Sequence, residues 1–143
     1  MKKLILPALL ITLAFAANAQ KIDAKDVPAV VKSKFAALYP NVKDPKWEKE
    51  KGNYEAGFEN GKEGESSVVL DPKGNMLETE MGIPVSQLPK AITDYVAQHY
   101  QGEKIKGAAK IKDITGMMMY EAEIKGKDLI FDSKGKFLRE VKD

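Results

Sequence analysis

The chain has 143 residues, with 23 Lys and Arg against 21 Asp and Glu, one histidine and no cysteine. This balance lacks the surplus of basic residues that nucleic-acid binding or membrane-surface binding requires, so neither partner is predicted. The absence of cysteine excludes disulfide bonds and thiol catalysis. A chain of this length can bury enough apolar surface to form one stable domain without disulfide bonds.

The first 19 residues have the pattern of a cleavable signal peptide. Lys2 and Lys3 precede an apolar run over residues 4–16, which is too short to span a bilayer comfortably. Residues 17–19 (Ala-Asn-Ala) fit the small-x-small rule, so we expect cleavage after Ala19. A retained anchor is the alternative. Cleavage would leave 21 basic and 21 acidic residues and predicts a soluble periplasmic or secreted protein that does not insert into the membrane.

The rest of the sequence repeats itself at an offset of 61 residues. Val27-Pro28 recurs as Leu88-Pro89, and Asp71-Pro72-Lys73-Gly74 recurs as Asp132-Ser133-Lys134-Gly135. Duplication of a unit this long indicates tandem copies of one supersecondary module. We therefore expect a single domain, residues 20–143, made of two repeats over about 24–82 and 83–143.

Each repeat is predicted to begin with a helix, over residues 28–39 and 89–100. Proline suits the first turn because its missing N–H has no intrahelical partner there. A stripe of apolar residues with a period of 3.6 marks the buried side of each helix. The stripe consists of Val27, Val30, Val31, Phe35 and Leu38 in the first helix, and Ile92, Tyr95, Val96 and His99 lie near it in the second.

Four strands are predicted to follow each helix, near residues 47–51, 54–59, 66–70 and 76–81, and then 104–112, 117–125, 128–131 and 136–141. Gly52-Asn53 is typical of a two-residue hairpin loop, which would pair Trp47 with Phe58. Two such units can join their sheets edge to edge. The predicted fold is α+β, with one eight-stranded antiparallel sheet, both helices on one face and the other face open.

No constellation in the sequence predicts catalysis, a cofactor or a metal site. His99 occupies the position of Leu38 in the first repeat, which favours a partly buried or capping side chain over a general base. Asp71 and Asp132 lack the alternating ligands of a calcium loop and are interpreted as hairpin turns. Glutamates on the predicted strands have lysines between them, which favours a solvated sheet face. These are Glu48, Glu50, Glu55, Glu78, Glu80, Glu121 and Glu123.

Met117-Met118-Met119 is the unusual apolar feature of the second repeat. Strand alternation sends Met118 to the core and leaves Met117 and Met119 exposed on the open face beside Glu121. Methionine makes adaptable binding surfaces. The predicted partner-binding residues are therefore Met117, Met119, Glu121, Glu48 and Glu50.

The motifs Val27-Pro28, Tyr39-Pro40-Asn41, Trp47-Glu48-Lys49-Glu50, Tyr54-Glu55-Ala56-Gly57-Phe58 and Asp71-Pro72-Lys73-Gly74 resemble the PepSY-like family, also described as β-lactamase-inhibitor-like. The resemblance covers essentially the whole mature chain and is weaker in the second copy, where Ala108 stands in place of Trp47. It implies an exported bacterial protein with a tandem helix-plus-sheet fold and no established enzymatic activity. It also implies protein binding or enzyme inhibition at a concave sheet face.

The sequence departs from the pattern of known β-lactamase inhibitors on its open face. β-Lactamase inhibitors of similar architecture present an aromatic-rich face, whereas Trp47, Tyr54 and Phe58 are predicted here on the helix-covered side. The function predicted from these observations is a non-catalytic exported protein-binding module, an inhibitor or regulator of an envelope or secreted enzyme. The alternative is a small-molecule or ion-binding sensor of the envelope. A hydrolase is disfavoured because nucleophile, base and metal ligands have no recognisable arrangement.

Overall fold

A computed structural model describes residues 19–61 and 64–142. The predicted signal peptide lies outside these residues, apart from Ala19. Helix α1 spans Ala29–Leu38 and helix α2 spans Lys90–His99. The strands are β1 (Gln20–Ile22), β2 (Lys46–Glu50), β3 (Asn53–Glu59), β4 (Glu65–Leu70), β5 (Met76–Gly82), β6 (Gly107–Asp113), β7 (Met118–Ile124), β8 (Lys127–Asp132) and β9 (Phe137–Lys142).

The nine strands form one antiparallel sheet in which spatial order follows chain order from β1 to β9. The predicted α+β architecture of two helix-plus-four-strand repeats is confirmed, with one strand more than the eight expected. The additional strand is β1, which pairs with β2 through Ile22 and Trp47. Strands β5 and β6 pair directly, from Glu78 with Asp113 to Gly82 with Ala109, and so join the two repeats into one sheet.

Both helices cover the same face of the sheet, as predicted. Val31 and Phe35 of α1 are buried in one cluster with Trp47, Tyr54, Ala56, Phe58, Val68 and Leu70. Ile92 and Val96 of α2 are buried in a second cluster with Ala122, Ile124, Leu129 and Phe131. Across the sheet Val68 pairs with Thr79, Thr79 with Lys112, and Lys112 with Met118. Met118 points to the same side as Ala122 of its strand, so the two clusters lie on one face of the sheet. The apolar stripe of α1 is narrower than predicted, because Val30 and Leu38 are exposed.

The first hairpin has a different loop from the one predicted. Lys51 and Gly52 form the turn with φ angles of +50° and +82°, and a two-residue type I′ turn requires positive φ at both positions. Trp47 therefore pairs with Ala56 instead of Phe58, and Lys49 pairs with Tyr54. The shift is two residues, so each side chain keeps its predicted face.

The two segments that begin with Asp71 and Asp132 form hairpin turns, as predicted. The backbone N–H groups of Lys73 and Asn75 donate to Asp71 Oδ1, each over 2.8 Å. In the second copy Lys134 and Lys136 donate to Asp132 Oδ1 over 2.9 Å. The carboxylates thus hold the turns by accepting main-chain hydrogen bonds.

The β8–β9 turn also contacts helix α2. Gly135 has φ +83°, and a Cβ at this position would lie 2.9 Å from Ala91 Cβ. Gly126, in the β7–β8 turn, has φ +70° and no heavy atom within 4 Å of its hypothetical Cβ. The two glycines therefore share a left-handed backbone and differ in whether a helix packs against them.

We predict that Gly135→Ala lowers the free energy of unfolding more than Gly126→Ala does, by at least about 1 kcal/mol. Both variants carry the cost of alanine at positive φ, and only Gly135→Ala also displaces α2. Urea denaturation of the two variants measures the difference. Equal losses would show that the turn does not pack against the helix.

Candidate functional site

The candidate site is the uncovered side of the sheet, which we call the open face. It consists of the side chains that alternate away from α1 and α2. Those of the first repeat are Lys46, Glu48, Glu50, Glu55, Ser67, Val69, Glu78 and Glu80, and those of the second are Ala109, Ile111, Asp113, Met119, Glu121, Glu123, Asp128, Ile130, Arg139 and Val141. Both α1 and α2 pack on the opposite side.

Carboxylates form a row across the first repeat on the open face. Glu48 pairs with Glu55, Glu55 with Val69, Val69 with Glu78, and Glu78 with Asp113. Like charges placed directly opposite each other on adjacent strands destabilise a sheet. The sequence predicted lysines between these glutamates. That prediction is wrong for the open face, because successive side chains of a strand point to opposite faces of the sheet. Lys49 lies between Glu48 and Glu50 in sequence but alternates to the other face, where its Nζ is 5.5 Å from the Tyr54 ring centre.

Glu78 is buried and Glu55, Glu80 and Glu121 are half-buried, which corrects the prediction of a solvated face. Glu78 is only 3% exposed. Burial raises the pKa of Glu78 to about 7, with Glu80 adding to the rise and Arg139 opposing it. Burial likewise raises the pKa of Glu80 to about 7, helped by the charges of Glu55 and Asp128. No salt bridge joins Glu78 or Glu80 to a basic residue within the described ranges.

Glu121, a predicted site residue on β7, belongs to the same group. Burial raises its pKa to about 9, and the neighbouring charges of Glu80 and Asp128 act in the same direction. Burial also raises the pKa of Glu55, although a hydrogen bond from Ser67 opposes the shift. The fold therefore favours the protonated form of several open-face glutamates at a pH where free glutamate is ionised.

The open face is concave at the end formed by β2 to β5, where Glu48, Glu55, Ser67 and Glu80 line a cavity of about 900 Å³ that we call the hollow. Adjacent strands lie about 4.8 Å apart, so in a flat sheet Asp128 on β8 and Glu80 on β5 would be separated by roughly 14 Å. Their charges nevertheless interact, and Arg139 on β9 reaches far enough to lower the pKa of Glu78 on β5. Charges in water are screened beyond about 8–10 Å. Convergence of these side chains explains how a face without a covering layer can bury Glu78.

An apolar patch lies beside the carboxylates in the second repeat. Ile111, Met119 and Ile130 are buried together on β6, β7 and β8, with Val141 of β9 packed against them. Met119 is 7% exposed, so the prediction of an exposed Met119 is wrong. Neighbouring strands supply the apolar side chains that cover it, which the sequence of β7 alone does not reveal.

Met118 is also placed differently from the prediction. It lies on the helix-covered side of β7 but is 38% exposed. Its position is at the start of the strand, whereas α2 packs on Ala122 and Ile124 further along. Met118 therefore extends past the core instead of joining it.

Met117 is exposed, as predicted, at 56%. It lies in the β6–β7 hairpin opposite Asp113 and next to Ile114, which is also exposed. Asp113 Oδ1 accepts hydrogen bonds from the backbone N–H groups of Thr115 (2.8 Å) and Met117 (2.9 Å). The hairpin thus holds two apolar side chains in solvent on a well-hydrogen-bonded turn.

The five predicted site residues share the side of the sheet but do not form one compact cluster. Glu48 and Glu50 lie on β2, five strands from Met119 and Glu121 on β7. That separation is roughly 24 Å along a flat sheet. Glu50 is paired with Lys51 at 3.6 Å. Between the two groups lie Glu55, Glu78 and Glu80, which the sequence pattern predicted to be solvated.

The chain's one histidine lies on α2, away from the open face. His99 is exposed at the end of α2, with Nδ1 3.0 Å from the Tyr95 carbonyl oxygen and its ring stacked on Tyr95 at 4.0 Å. This is the capping role expected from its sequence position. Within residues 19–61 and 64–142, no group of three or more His, Cys, Asp or Glu side chains is arranged to hold a metal ion. Over the same residues no helix is long and apolar enough to cross a membrane.

We predict that the protein becomes less stable as the pH rises from 5.5 to 8.5. The folded-state pKa values of Glu78, Glu80 and Glu121 lie above the unfolded value of 4.5. Their contribution to stability is fully present below pH 4.5 and is lost as the pH passes through 7 and 9. Urea denaturation across this range should show a fall of roughly 1–3 kcal/mol in the free energy of unfolding.

The variant Glu80→Gln should reduce the fall in the free energy of unfolding with rising pH and should stabilise the protein at pH 8.5. The reason is that a neutral amide replaces a carboxylate that ionises where water is largely excluded. Glu103→Gln is the matched control, since Glu103 is exposed in the loop after α2. A stability that rises with pH over this interval, or equal slopes for both variants, would contradict the assignment.

Comparison with known proteins places the fold. Two segments, residues 14–78 and 52–139, match the model of the family described as "Putative beta-lactamase-inhibitor-like, PepSY-like". No curated protein matches the chain. A Bacteroides eggerthii protein that is described as periplasmic has a similar structure, with TM-score 0.70, 15% identity, and coverage of 81% of this chain and 88% of that one.

Two further solved structures share the fold. A DUF2874 family protein of Bacteroides uniformis has TM-score 0.67 and 16% identity over 80% of this chain and 88% of its own. A BLIP-like protein of Bacteroides fragilis has TM-score 0.58 and 22% identity over 80% and 85%. At these identities the likeness concerns the fold alone, whereas the family match extends over most of the chain. The protein belongs to the β-lactamase-inhibitor-like, PepSY-like family.

Proposed function

We propose that this protein is an exported, non-catalytic protein-binding module that binds its partner across the open face, as an inhibitor or regulator of an envelope or secreted enzyme. The observation that carries the proposal is a set of buried and half-buried carboxylates that form no salt bridge within the described residues. Glu78, Glu80 and Glu121 lie on the face that neither α1 nor α2 covers. The family's inhibitor-like description supports the same class of function.

The energetics of these carboxylates favour a binding role. Burying a charged group without a partner destabilises the fold, and adjacent like charges add to that cost. Local costs of this kind are typical of functional sites, where the fold keeps a feature that stability alone would remove. A partner that brings positive charge into the hollow would offset the desolvation and the repulsion together.

The size of the open face favours a protein over a small molecule. Nine strands span about 38 Å across the sheet, and six residues span roughly 20 Å along each strand. The resulting area, on the order of 800 Å², is what one partner contributes to a standard protein–protein interface. For this reason we place a small-molecule or ion sensor second.

The two halves of the open face offer different contacts. The first repeat contributes a surplus of carboxylates, and the second contributes the apolar patch of Ile111, Met119 and Ile130 with exposed Met117 at its margin. Protein interfaces commonly combine an apolar centre with charges that steer and orient the partner. We assign Met117, Met119 and Glu121 to the apolar half of the interface, and Glu48 and Glu50 to its acidic half.

Export is part of the proposal. The leader pattern of residues 1–19 and the solved periplasmic relative support it. Cleavage after Ala19 would make Gln20 the first residue, and Gln20 is also the first residue of β1. The mature chain would then begin directly in the sheet.

We predict that immobilised protein retains a partner from the envelope or culture fluid of its source organism, and that Met117→Lys weakens this retention at least 10-fold. A lysine at this exposed position places a charge in the apolar half of the interface, where the loss of a well-packed contact costs about 1–2 kcal/mol. Pull-down followed by mass spectrometry, with titration of the purified partner, measures the effect.

Val30→Lys serves as the control, because Val30 is equally apolar and exposed but lies on α1, away from the open face. Both variants must unfold at the same urea concentration as the parent. A partner that loses affinity equally for Val30→Lys and Met117→Lys would exclude the open face as the interface.

A further inference from the structure

A furrow runs along the helix-covered side of the sheet, between the two helices. Helix α1 packs on β2, β3 and β4, and α2 packs on β7 and β8. The helices are centred over β3 and β7, which lie four strands apart, or roughly 19 Å. Helices in direct contact lie only about 8–10 Å apart. The helices therefore leave β5 and most of β6 without a helix above them.

The floor of this furrow contains methionine side chains that the helices leave uncovered. Met81 of β5 pairs with Ser66, which lies on the same side of β4 as the buried Val68. Met118 of β7 pairs with Lys112 of β6 on that side as well. Met81 is 45% exposed and Met118 is 38% exposed. Because methionine adapts to varied apolar surfaces, the floor suits a binding partner.

Helix α1 forms one wall of the furrow. A Cβ on Gly74, in the β4–β5 turn, would lie 3.4 Å from Lys34 Cβ and 3.5 Å from Val30 Cγ2, so this side of α1 faces β5. Leu38 lies one turn beyond Lys34 on the same side of the helix. Val30 is 50% exposed and Leu38 is 38% exposed. The opposite wall is the segment 83–88, which packs with α2 and contains no charged residue.

The charged side chains that β5, β6 and this side of α1 direct into the furrow are lysines. Lys110 and Lys112 project from β6, and Lys34 projects from α1. The carboxylates of the same two strands, such as Glu80 and Asp113, alternate to the open face. Within residues 19–61 and 64–142 these three lysines form no salt bridge. The furrow is therefore positive on a sheet whose other side is negative.

We propose that this furrow binds an extended acidic segment of a protein. Its carboxylates would pair with Lys34, Lys110 and Lys112, and its apolar side chains would pack on Met81 and Met118. Charge complementarity selects this occupant, because a positive strip with an apolar floor favours a segment that alternates acidic and apolar residues. An extended chain fits better than a helix, since the segment 83–88 takes up part of the space beside α2.

This surface is separate from the open face and does not depend on the proposed function. The two surfaces lie on opposite sides of β5 and β6, and strand alternation gives them opposite charge. A chain built in this way can bind a basic partner on one side and an acidic partner on the other.

The test uses the capped, fluorescein-labelled peptide Glu-Leu-Glu-Leu-Glu-Leu with the purified protein, and fluorescence polarisation measures binding. We expect saturable binding that weakens as the salt concentration rises, and no binding of the peptide in which glutamine replaces each glutamate. Lys112→Gln should weaken binding about 10-fold, as loss of a charge-assisted hydrogen bond would. Met81→Ala should weaken it about 5-fold through the loss of buried apolar area.

Lys125→Gln and Leu138→Ala are the matched controls. Lys125 is an exposed lysine of the β7–β8 turn, and Leu138 of β9 is 43% exposed, close to the 45% of Met81. Each control should change the affinity less than about 2-fold, because surface substitutions away from a site have small effects. All four variants must unfold at the same urea concentration as the parent.

Three results would overturn the inference. Equal losses for Lys112→Gln and Lys125→Gln would indicate diffuse attraction to lysines anywhere on the surface. Equally tight binding of the glutamine peptide would exclude recognition of acidic residues. Dodecanoate that binds more tightly than the peptide would replace the polypeptide with a fatty acid, and polarisation that stays unchanged at millimolar protein would refute the site directly.

Discussion

The direct pairing of β5 with β6 is the contact on which the rest of the structure depends. It joins two helix-plus-four-strand repeats into one sheet, from Glu78 with Asp113 to Gly82 with Ala109. Each repeat alone would have a small core and an unpaired edge. The joint also brings Glu80 of the first repeat beside Ile111 of the second, and so creates the centre of the open face.

Strand alternation then separates the charges of the chain between the two sides of the sheet. Lysine and glutamate neighbours in sequence, such as Lys49 and Glu50, point to opposite faces, so their proximity along the chain gives no pairing across the sheet. The helix-covered side keeps lysines whose ammonium groups lie over aromatic rings, as Lys49 does over Tyr54 and Lys110 over Tyr120. The open face keeps the carboxylates, which accounts for its negative character in a chain whose overall charge is near zero.

The hollow shape of the open face connects stability with binding. On this face Glu78 is buried and Glu80 and Glu121 are half-buried, which opposes their ionisation and weakens the fold as the pH rises. The same groups become favourable contacts once a partner supplies positive charge. The apolar patch around Met119 and the exposed Met117 complete a surface in which attraction and packing come from different repeats.

The sequence by itself determined the repeat, the two helices, eight of the nine strands, and the family. These depend on local patterns: the 61-residue offset, proline at each helix start, and alternation along single strands. Only the tertiary structure decided the Lys51-Gly52 turn, the burial of Met119, and the hollow that gathers Glu48, Glu55 and Glu80. Each of these depends on neighbours from other strands, and neither cross-strand contacts nor sheet curvature can be read from the periodicity of one strand.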